Sequence, residues 1–461
     1  MHSETQPDNF APIDRIPQEL FNVILRSTIR RPGLRSSFSC LVERPNLEPP
    51  PGFHSWLPLR LVSRRWNATI TSEKHLWSTI IARGPHAREW LILCFFLSVP
   101  RHQFPQPESS RSLNEFLIST TFPALTALVL VSDPSDQWEP GDVSPVTFEQ
   151  HNTPSLTTIS VNSPWQVPRP AAFARLKRVS LDSGLKVLPM HVLGLLRAAP
   201  QLEEFRLGCG YYQGFDPDST ACGLWYADVG LPVPVTMAHL RLLEFTEVIH
   251  RQSDTVWVLS RLLLPRAQVI RLDCTGPNAP HIFYYLPRTL ANSVPGLPSR
   301  TGLRVVAADH SFGIEVWNAD GTRRFIVRCD VGDRHLPSDS ALSYLEVFVD
   351  RVRCPDVGLS ALELDGTAGS LFTQRAEWAA LLRCFPKLTR LSIANTSENR
   401  VDGRLAELTR ALRERGEPLE ELVFVGEPPL DLEMWKKKMK AAGVGSVTRV
   451  ASTDGGSDDR W

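Results

Sequence analysis

The sequence lacks an apolar run long enough to cross a membrane. Its longest such run, residues 90–99, is far shorter than the ~20 residues that a membrane-spanning helix requires. The first residues, MHSETQPDNF, also lack the apolar core of a secretion signal. We therefore expect a chain of the cytoplasm, the nucleus or both, with no membrane partner.

The sequence also lacks a net charge. It has 50 Lys and Arg residues against 50 Asp and Glu residues, so its formal net charge is +0. A protein held to nucleic acid by its overall field is normally basic, and this composition therefore predicts no nucleic-acid partner. Hydrophobic residues make up 42% of the 461-residue chain, which is enough to bury a sizeable core.

Motifs of metal sites and enzymes are missing as well. The 8 cysteines include no Cys-x-x-Cys pair, and the 12 histidines include no His-x-x-x-His pair. No Gly-x-Ser-x-Gly turn occurs, and the GCGYYQG stretch at 208–214 has the wrong spacing for a phosphate loop. We expect no cofactor, no metal and no catalytic residue. An enzyme with an unrecognised site in the loops near 208–232 is an alternative of another class.

Residues 12–82 show the periodicity of three short amphipathic helices, preceded by a polar segment, 1–11, that we expect to be disordered. The first helix starts near Pro17, since proline fits the first turn of a helix. The second is marked by apolar residues at steps of three and four, and Ser72 is a cap for the third. Between the first and second helices, about residues 30–55 form a proline-rich insert.

Three stretches of this segment, IPQELFNVIL, LRLVSRRWN and HLW, resemble an F-box. The resemblance covers about 70 residues, with Ile16 in place of the usual leucine and with the insert where a short turn is usual. It implies a helical hook that binds the adaptor Skp1 and, through it, a cullin. The positions that it implies for adaptor contact are Ile16, Pro17, Leu20, Ile24, Leu59, Val62 and Trp66.

The rest of the chain repeats a Leu-x-x-Leu-x-Leu pattern at intervals of about 33 residues. The pattern starts at Leu125, Leu156, Leu176, Leu202, Leu240, Ala267, Leu303, Leu359, Leu388 and Leu419. Several copies follow a helical run and a proline, as in RAEWAALLRCFPKLTRLSI. One further match, LSYLEV from Leu342, steps apolar residues by three and four, and we predict a helix there.

These copies resemble a divergent leucine-rich-repeat solenoid of residues 83–448, with parallel strands inside and helices outside. A unit of one strand and one helix is too small to bury its own apolar face, so neighbouring units share a core. A globular α/β domain with leucine-rich strands is the alternative. Asp320-Gly321 lies between two alternating runs and predicts a β-hairpin inserted at about 312–329, which we expect on one rim of the solenoid. We expect residues 449–461 to be a disordered tail.

The leading hypothesis is therefore a non-enzymatic substrate receptor of an SCF-type ubiquitin ligase. By family implication its F-box binds Skp1, and its repeats bind an unknown target protein. A scaffolding protein that binds Skp1, or only its own partner, outside a cullin complex is an alternative that the sequence does not separate from the first. Both belong to the class of protein-interaction proteins.

Overall fold

A computed structural model describes eighteen parts of the chain. They are residues 79–83, 121–122, 125–131, 151–162, 174–181, 189–208, 234–246, 252–275, 279, 282–287, 294, 300–308, 310–318, 320–330, 337–352, 359–395, 401–426 and 432–450. These residues belong to two compact units that span Met1–Pro168 and Arg169–Trp461. The three predicted N-terminal helices, their insert and the loops at 209–232 lie outside the described residues.

The described strands of the first unit are β1, β2 and β3 (Thr79–Arg83, Ala127–Val131 and Thr158–Asn162). They are parallel neighbours in chain order, with Thr79 beside Ala127 and Ala127 beside Thr158. The copies at Leu125 and Leu156 thus form strands as predicted. Residues 79–82, at the end of the segment that resembles an F-box, belong to β1.

The second unit is a mixed α/β structure with a large, mostly parallel sheet. Its strands are β4 Arg178–Leu181, β5 Glu204–Gly208, β6 Val235–Thr236, β7 Leu242–Thr246, β8 Leu262–Leu263, β9 Val269–Cys274, β10 Arg300–Ala308, β11 Ser311–Asn318, β12 Arg324–Asp330, β13 Ala361–Gly366, β14 Arg390–Asn395, β15 Leu419–Gly426 and β16 Val444–Val450. Its described helices are α1 Pro189–Ala198, α2 Gln252–Leu259, α3 Ile282–Tyr285, α4 Ser338–Val352, α5 Ala368–Leu371, α6 Arg375–Cys384, α7 Val401–Arg415 and α8 Leu432–Lys440. No helix of these ranges is both long and apolar enough to traverse a bilayer.

The strand order in this sheet is β4-β5-β7-β9-β12-β11-β10-β13-β14-β15-β16, and β6 pairs with β8 in a separate ribbon. Neighbours are parallel except where β11 pairs with β10 and β12. Along the large sheet, the chain runs in one direction from β4 to β16, except that β11 and β12 turn back from β10 towards β9. Because crossovers between parallel strands are right-handed, helices in such connections cover the same face.

The leucine spacing explains which side of each strand is buried. Alternate side chains of a strand point to opposite faces, so the fourth and sixth positions of Leu-x-x-Leu-x-Leu share one face. Val179 and Leu181 in β4, and Phe205 and Leu207 in β5, are buried on that face. Helices bury one face against it, as with Trp378, Leu381 and Leu382 of α6 and Trp435 and Met439 of α8. The predicted helix over LSYLEV is confirmed as part of α4.

The predicted hairpin is confirmed, but its expected place on a rim is wrong. Strands β11 and β12 pair around a turn in which Gly321 has a φ of 68° and the Asp320 carboxylate accepts a hydrogen bond of 2.8 Å from the backbone N–H of Thr322. The hairpin lies inside the sheet, because β12 pairs with β9 and β11 pairs with β10. In both strands of the hairpin, apolar side chains alternate with mostly polar ones, so one face of each strand can be buried. Each strand pairs with a neighbour on both sides, and the backbone groups of both strands are therefore hydrogen-bonded.

On the helix-covered face of the sheet, a cluster of aromatic side chains packs this hairpin against α3 and α4. Phe283 of α3 lies between Phe312 of β11 and Phe348 of α4, at ring-centroid distances of 5.9 and 6.0 Å. Phe325 of β12 stacks on Phe348 at 5.9 Å, and Tyr344 stacks on Phe283 at 5.5 Å. Fully buried aromatic pairs of this kind stabilise a core beyond the apolar area that they bury.

The copy predicted to begin at Leu303 is out of register by three residues. Leu303 lies beside Leu362 of β13, which is the fourth position of the copy that begins at Leu359. Leu303 and Val305 are therefore the fourth and sixth positions of their own copy, and Arg300 is its first. The error arose because an arginine at the first position hides the pattern.

Candidate functional site

The large sheet of the second unit has one face covered by helices, and its other face carries rows of mostly polar side chains; we call this other face the open face. A row consists of the side chains that lie in register on successive strands, and we number two such rows, of which the second holds most of the charges. From β4 to β16 the second row reads Ser180, Arg206, Glu244, Arg271, Ile326, Glu315, Arg304, Glu363, Ser392, Val423 and Thr448. Arginine and glutamate thus alternate across the centre of the sheet, on both sides of Ile326.

One ion-pair network lies on β5, β7 and β9. Arg206 Nε is 3.3 Å from Glu244 Oε2, and Arg271 Nη1 is 3.6 Å from Glu244 Oε1. Arg271 Nε is also 2.6 Å from Asp273 Oδ2. Glu244 is buried, and a buried carboxylate is tolerated because two guanidinium groups flank it.

A second network lies on β10–β13. Arg304 Nη2 is 2.8 Å from Glu363 Oε2, and Arg304 Nη1 is 3.8 Å from Glu315 Oε2. Arg324 Nη1 is 3.3 Å from Glu315 Oε1, so Glu315 lies between two arginines. Burial acts to lower the pKa of Arg304, but the neighbouring carboxylates, Glu363 first, outweigh it and raise that pKa. Arg304 therefore stays charged.

The first row of the open face runs beside this network. From β4 to β16 it holds Arg178, Glu204, Leu242, Val269, Arg324, Trp317, Gly302, Ala361, Arg390, Glu421 and Ser446. Arg178 pairs with Glu204 and Arg390 pairs with Glu421, each at 3.2 Å. The half-buried indole of Trp317 lies over Gly302, and the Arg304 guanidinium carbon is 5.8 Å from its ring centroid.

The described cysteines offer no activated nucleophile. Cys274 and Cys329 are neighbours in register on the buried side of β9 and β12. Burial, with the neighbouring Cys274 thiol, raises the pKa of Cys329 well above its ordinary value. Burial likewise raises the pKa of Cys384 to about 11, and a thiol of that pKa is protonated at neutral pH. Within the described ranges, no three His, Cys, Asp or Glu side chains lie where they would hold a metal ion.

The residues that the F-box resemblance implies for adaptor contact are not part of this site. Ile16, Pro17, Leu20, Ile24, Leu59, Val62 and Trp66 all lie outside the described residues. The open-face charges were not predicted as a site, although each is visible in the strand sequences as the residue between two apolar ones. Arg206 in FRL, Glu244 in LEF, Arg271 in IRL and Glu363 in LEL all stand in this position.

No protein-family model matches the chain, and no curated protein matches it significantly. Its function therefore has to be inferred from its own residues.

Proposed function

We propose that the chain is the substrate-recognition subunit of an SCF-type ubiquitin ligase. Its N-terminal segment binds the adaptor Skp1, which joins a cullin, and its large sheet binds a target protein through the open face. The protein carries out no bond chemistry in this proposal. It holds a target lysine near the conjugating enzyme, so that the effective concentration of the reacting groups rises.

The adaptor-binding part of the proposal rests on the motif at 12–82. LRLVSRRWN combines an apolar helical face, formed by Leu59, Val62 and Trp66, with Arg60 and Arg64 on the other faces of the same stretch. Amphipathic helices this short bury little apolar surface between them, so part of their apolar face needs a further covering. A partner protein of complementary shape supplies that covering in the F-box family.

The target-binding part is carried by one observation: an arginine-glutamate ladder crosses one face of a long, mostly parallel sheet. We propose that this unit is an irregular leucine-rich-repeat-like solenoid, interrupted by the β10–β12 meander. Eight copies of Leu-x-x-Leu-x-Leu form parallel strands of this unit, each beside the next except where β11 and β12 lie between β9 and β10, and such an arrangement is expected for stacked repeats. In such arrays, side chains between the buried leucines vary without disturbing the core, and they are therefore free to select a partner.

Co-purification with Skp1 tests the adaptor-binding part. We expect the full chain to bring down Skp1, and the double variant Val62→Asp, Trp66→Asp to lose it, because two carboxylates would enter an apolar interface. Ser63→Asp is the matched control, since Ser63 lies between the two apolar positions on another helical face. Retention of Skp1 by the double variant contradicts the site assignment.

Cullin capture separates the two interaction hypotheses. A ligase subunit retains the cullin together with Skp1, whereas a scaffold that acts outside the complex retains Skp1 alone. Affinity purification of the full chain beside a chain that lacks residues 1–78, and so keeps β1, adds a second measure. The adaptor and cullin should vanish from the truncated sample, and the target proteins should remain.

A further inference from the structure

The ion pairs of the open face do not expose their two charges equally. The side chain of Arg324 is 50% exposed and that of Glu315 13%; the corresponding values for Arg390 and Glu421 are 52% and 34%. The cation is also the more exposed partner in five further pairs of this face. These pairs are Arg206–Glu244, Arg271–Glu244, Arg271–Asp273, Arg304–Glu315 and Arg304–Glu363. Arg178 and Glu204 are equally exposed.

The outer layer of this face is therefore cationic, although its formal charges nearly balance. The carboxylates are the less exposed charges of these pairs, and we call them the floor carboxylates; the guanidinium groups are more exposed. A guanidinium carries five N–H donors, and a floor carboxylate occupies only part of this set. The remaining donors of Arg324 and Arg390 are available to a second carboxylate, in the charge-assisted geometry that arginine favours.

Trp317 adds an apolar anchor in the middle of this layer. Its indole lies against Gly302, where an added Cβ would be 2.3 Å from the indole carbons Cε2 and Cζ2. Arg324 is its neighbour on β12, and Arg304 lies on the same face of β10. Tryptophan and arginine are the residues that most often dominate the binding energy of protein interfaces, and they do so when clustered.

We propose that the open face binds an acidic, extended protein segment, with an apolar side chain against Trp317 and carboxylates on Arg324 and Arg390. The inference rests on the proposed function only in taking this segment to be part of the target. The footprint is the first row between β9 and β15 and the second row between β9 and β13, because Ser392 and Val423 of the second row are buried. Asp273, Asp330 and Asp365 lie beyond the second row, towards the ends of β9, β12 and β13, and Arg328 of β12 lies beside Asp273.

An acidic peptide fits this face better than a nucleic acid does. Binding to a phosphate backbone draws its free energy largely from the release of counterions when several lysines and arginines neutralise successive phosphates. Here Glu315 already flanks Arg324 and Arg304, and Glu421 flanks Arg390. A continuous phosphate chain would also lie above the floor carboxylates, whereas a peptide places its charges at separate positions.

The test measures binding of a fluorescein-labelled dodecapeptide of glutamates with one central leucine to the purified full chain. Fluorescence anisotropy gives the affinity, and a second peptide carries glutamine in place of every glutamate. We expect binding of the glutamate peptide that weakens as salt rises, with no measurable binding of the glutamine peptide. A third peptide with serine in place of leucine should bind several-fold more weakly if its leucine contacts Trp317.

The double variant Arg324→Gln, Arg390→Gln should weaken binding of the glutamate peptide by about tenfold or more. It leaves each floor carboxylate a partner, since Glu315 keeps Arg304 and Glu421 keeps a hydrogen bond of 3.2 Å from Thr448 Oγ1. Arg410→Gln on α7 is the matched control, because Arg410 is similarly exposed and paired but lies on a helix.

Three results would overturn the inference: equal binding of the glutamate and glutamine peptides, equal affinities of the double variant and the Arg410→Gln control, or tighter binding of an oligothymidylate of the same length. Equal affinity for the leucine and serine peptides would remove Trp317 from the site. The assay contains no adaptor, so its failure is distinct from a failure to bind Skp1. The Val62→Asp, Trp66→Asp chain should bind the peptide like the unaltered chain.

Discussion

At the level of single side chains, the contact between Gly302 and Trp317 sets the surface of the open face. The two residues are cross-strand partners on β10 and β11, where the sheet changes from parallel to antiparallel. Any Cβ at position 302 would collide with the indole, so glycine is what allows the ring to lie against this position. The position of the aromatic anchor therefore depends on a residue with no side chain.

We expect Gly302→Ala to destabilise the protein by about 1–3 kcal/mol, because the indole has to leave its place or the strands have to separate. Urea unfolding followed by circular dichroism measures this change. Gly194→Ala in α1 is the control: nothing lies within 4 Å of its added Cβ, and alanine favours a helix over glycine. The control should be neutral or slightly stabilising, and equal stability losses in the two variants would contradict the account of Gly302.

For the charged residues of the open face, the sequence predicted the side of the strand on which each lies but not its partner. Arg271 and Glu363 are recognisable as strand residues that point away from the core, because they stand between apolar neighbours. Their pairing partners belong to other strands, and no local pattern states which strand is the neighbour. The exposure of Arg324 above Glu315 depends on where two side chains lie across β11 and β12, so it had no signal in the sequence.

At the level of helices, Glu377 links the beginnings of α4 and α6. Its carboxylate accepts hydrogen bonds from the backbone N–H groups of Thr373 and Gln374, at 2.7 and 2.9 Å, and from Ser338 Oγ at 2.6 Å. Burial acts to raise the pKa of Glu377, but these hydrogen bonds outweigh burial and lower it. An acidic group in the first turn also interacts favourably with the helix dipole.

We expect Glu377→Gln to destabilise the protein by about 1 kcal/mol at pH 7, as for the loss of a capping interaction. The pKa of Glu377 is lower in the folded protein, so its contribution is complete above the unfolded pKa and is lost as pH falls through the folded value. The difference in unfolding free energy between the two proteins should therefore shrink as the pH falls below about 4–5.

Urea unfolding at several pH values measures that difference. Glu433→Gln on α8 is the control, because Glu433 is exposed and pairs only with Lys436 among the contacts of the described residues. Its effect should stay within about 0.5 kcal/mol at every pH. A Glu377→Gln effect that is constant with pH would contradict a role for the ionised carboxylate.

The helices and strands themselves were largely predictable. Each copy of the leucine pattern forms a strand, and the helical runs before Leu202, Leu388 and Leu419 form α1, α6 and α7. Helix α2 and the β6–β8 ribbon were not predicted. Helix α2, whose sequence is QSDTVWVL, lacks a clear apolar face, so it has no periodic signal.

For the sheet as a whole, stability should depend on contacts between successive units. From β13 to β16 each strand of the second unit pairs with the next, and α8 with β16 completes the last repeat. Trp435 and Met439 are buried there, and the Thr409 hydroxyl of α7 is 3.5 Å from the Met439 sulfur. Removing the last unit would expose the apolar surface of β15 and α7 to water, as for the loss of a terminal repeat.

We expect deletion of residues 427–461 to lower the melting temperature by several degrees or more and to promote aggregation, since the newly exposed edge and face are apolar. Thermal unfolding and size-exclusion chromatography measure these effects. Deletion of 451–461, most of the tail that the sequence predicts to be disordered, is the control and should change neither. A melting temperature that is the same for both deletions would contradict the unit-by-unit account.

The leucine spacing alone specified the strands and the side of each that is buried, because these features depend on neighbours within a few residues of the same chain. The position of the hairpin between β9 and β10 depended instead on contacts between distant segments. There the backbone groups of β11 and β12 are paired on both sides, and Phe312 and Phe325 enter the core beside Phe283 and Phe348. The cationic layer of the open face arose in the same way, since cross-strand register decides which carboxylate lies beneath which guanidinium.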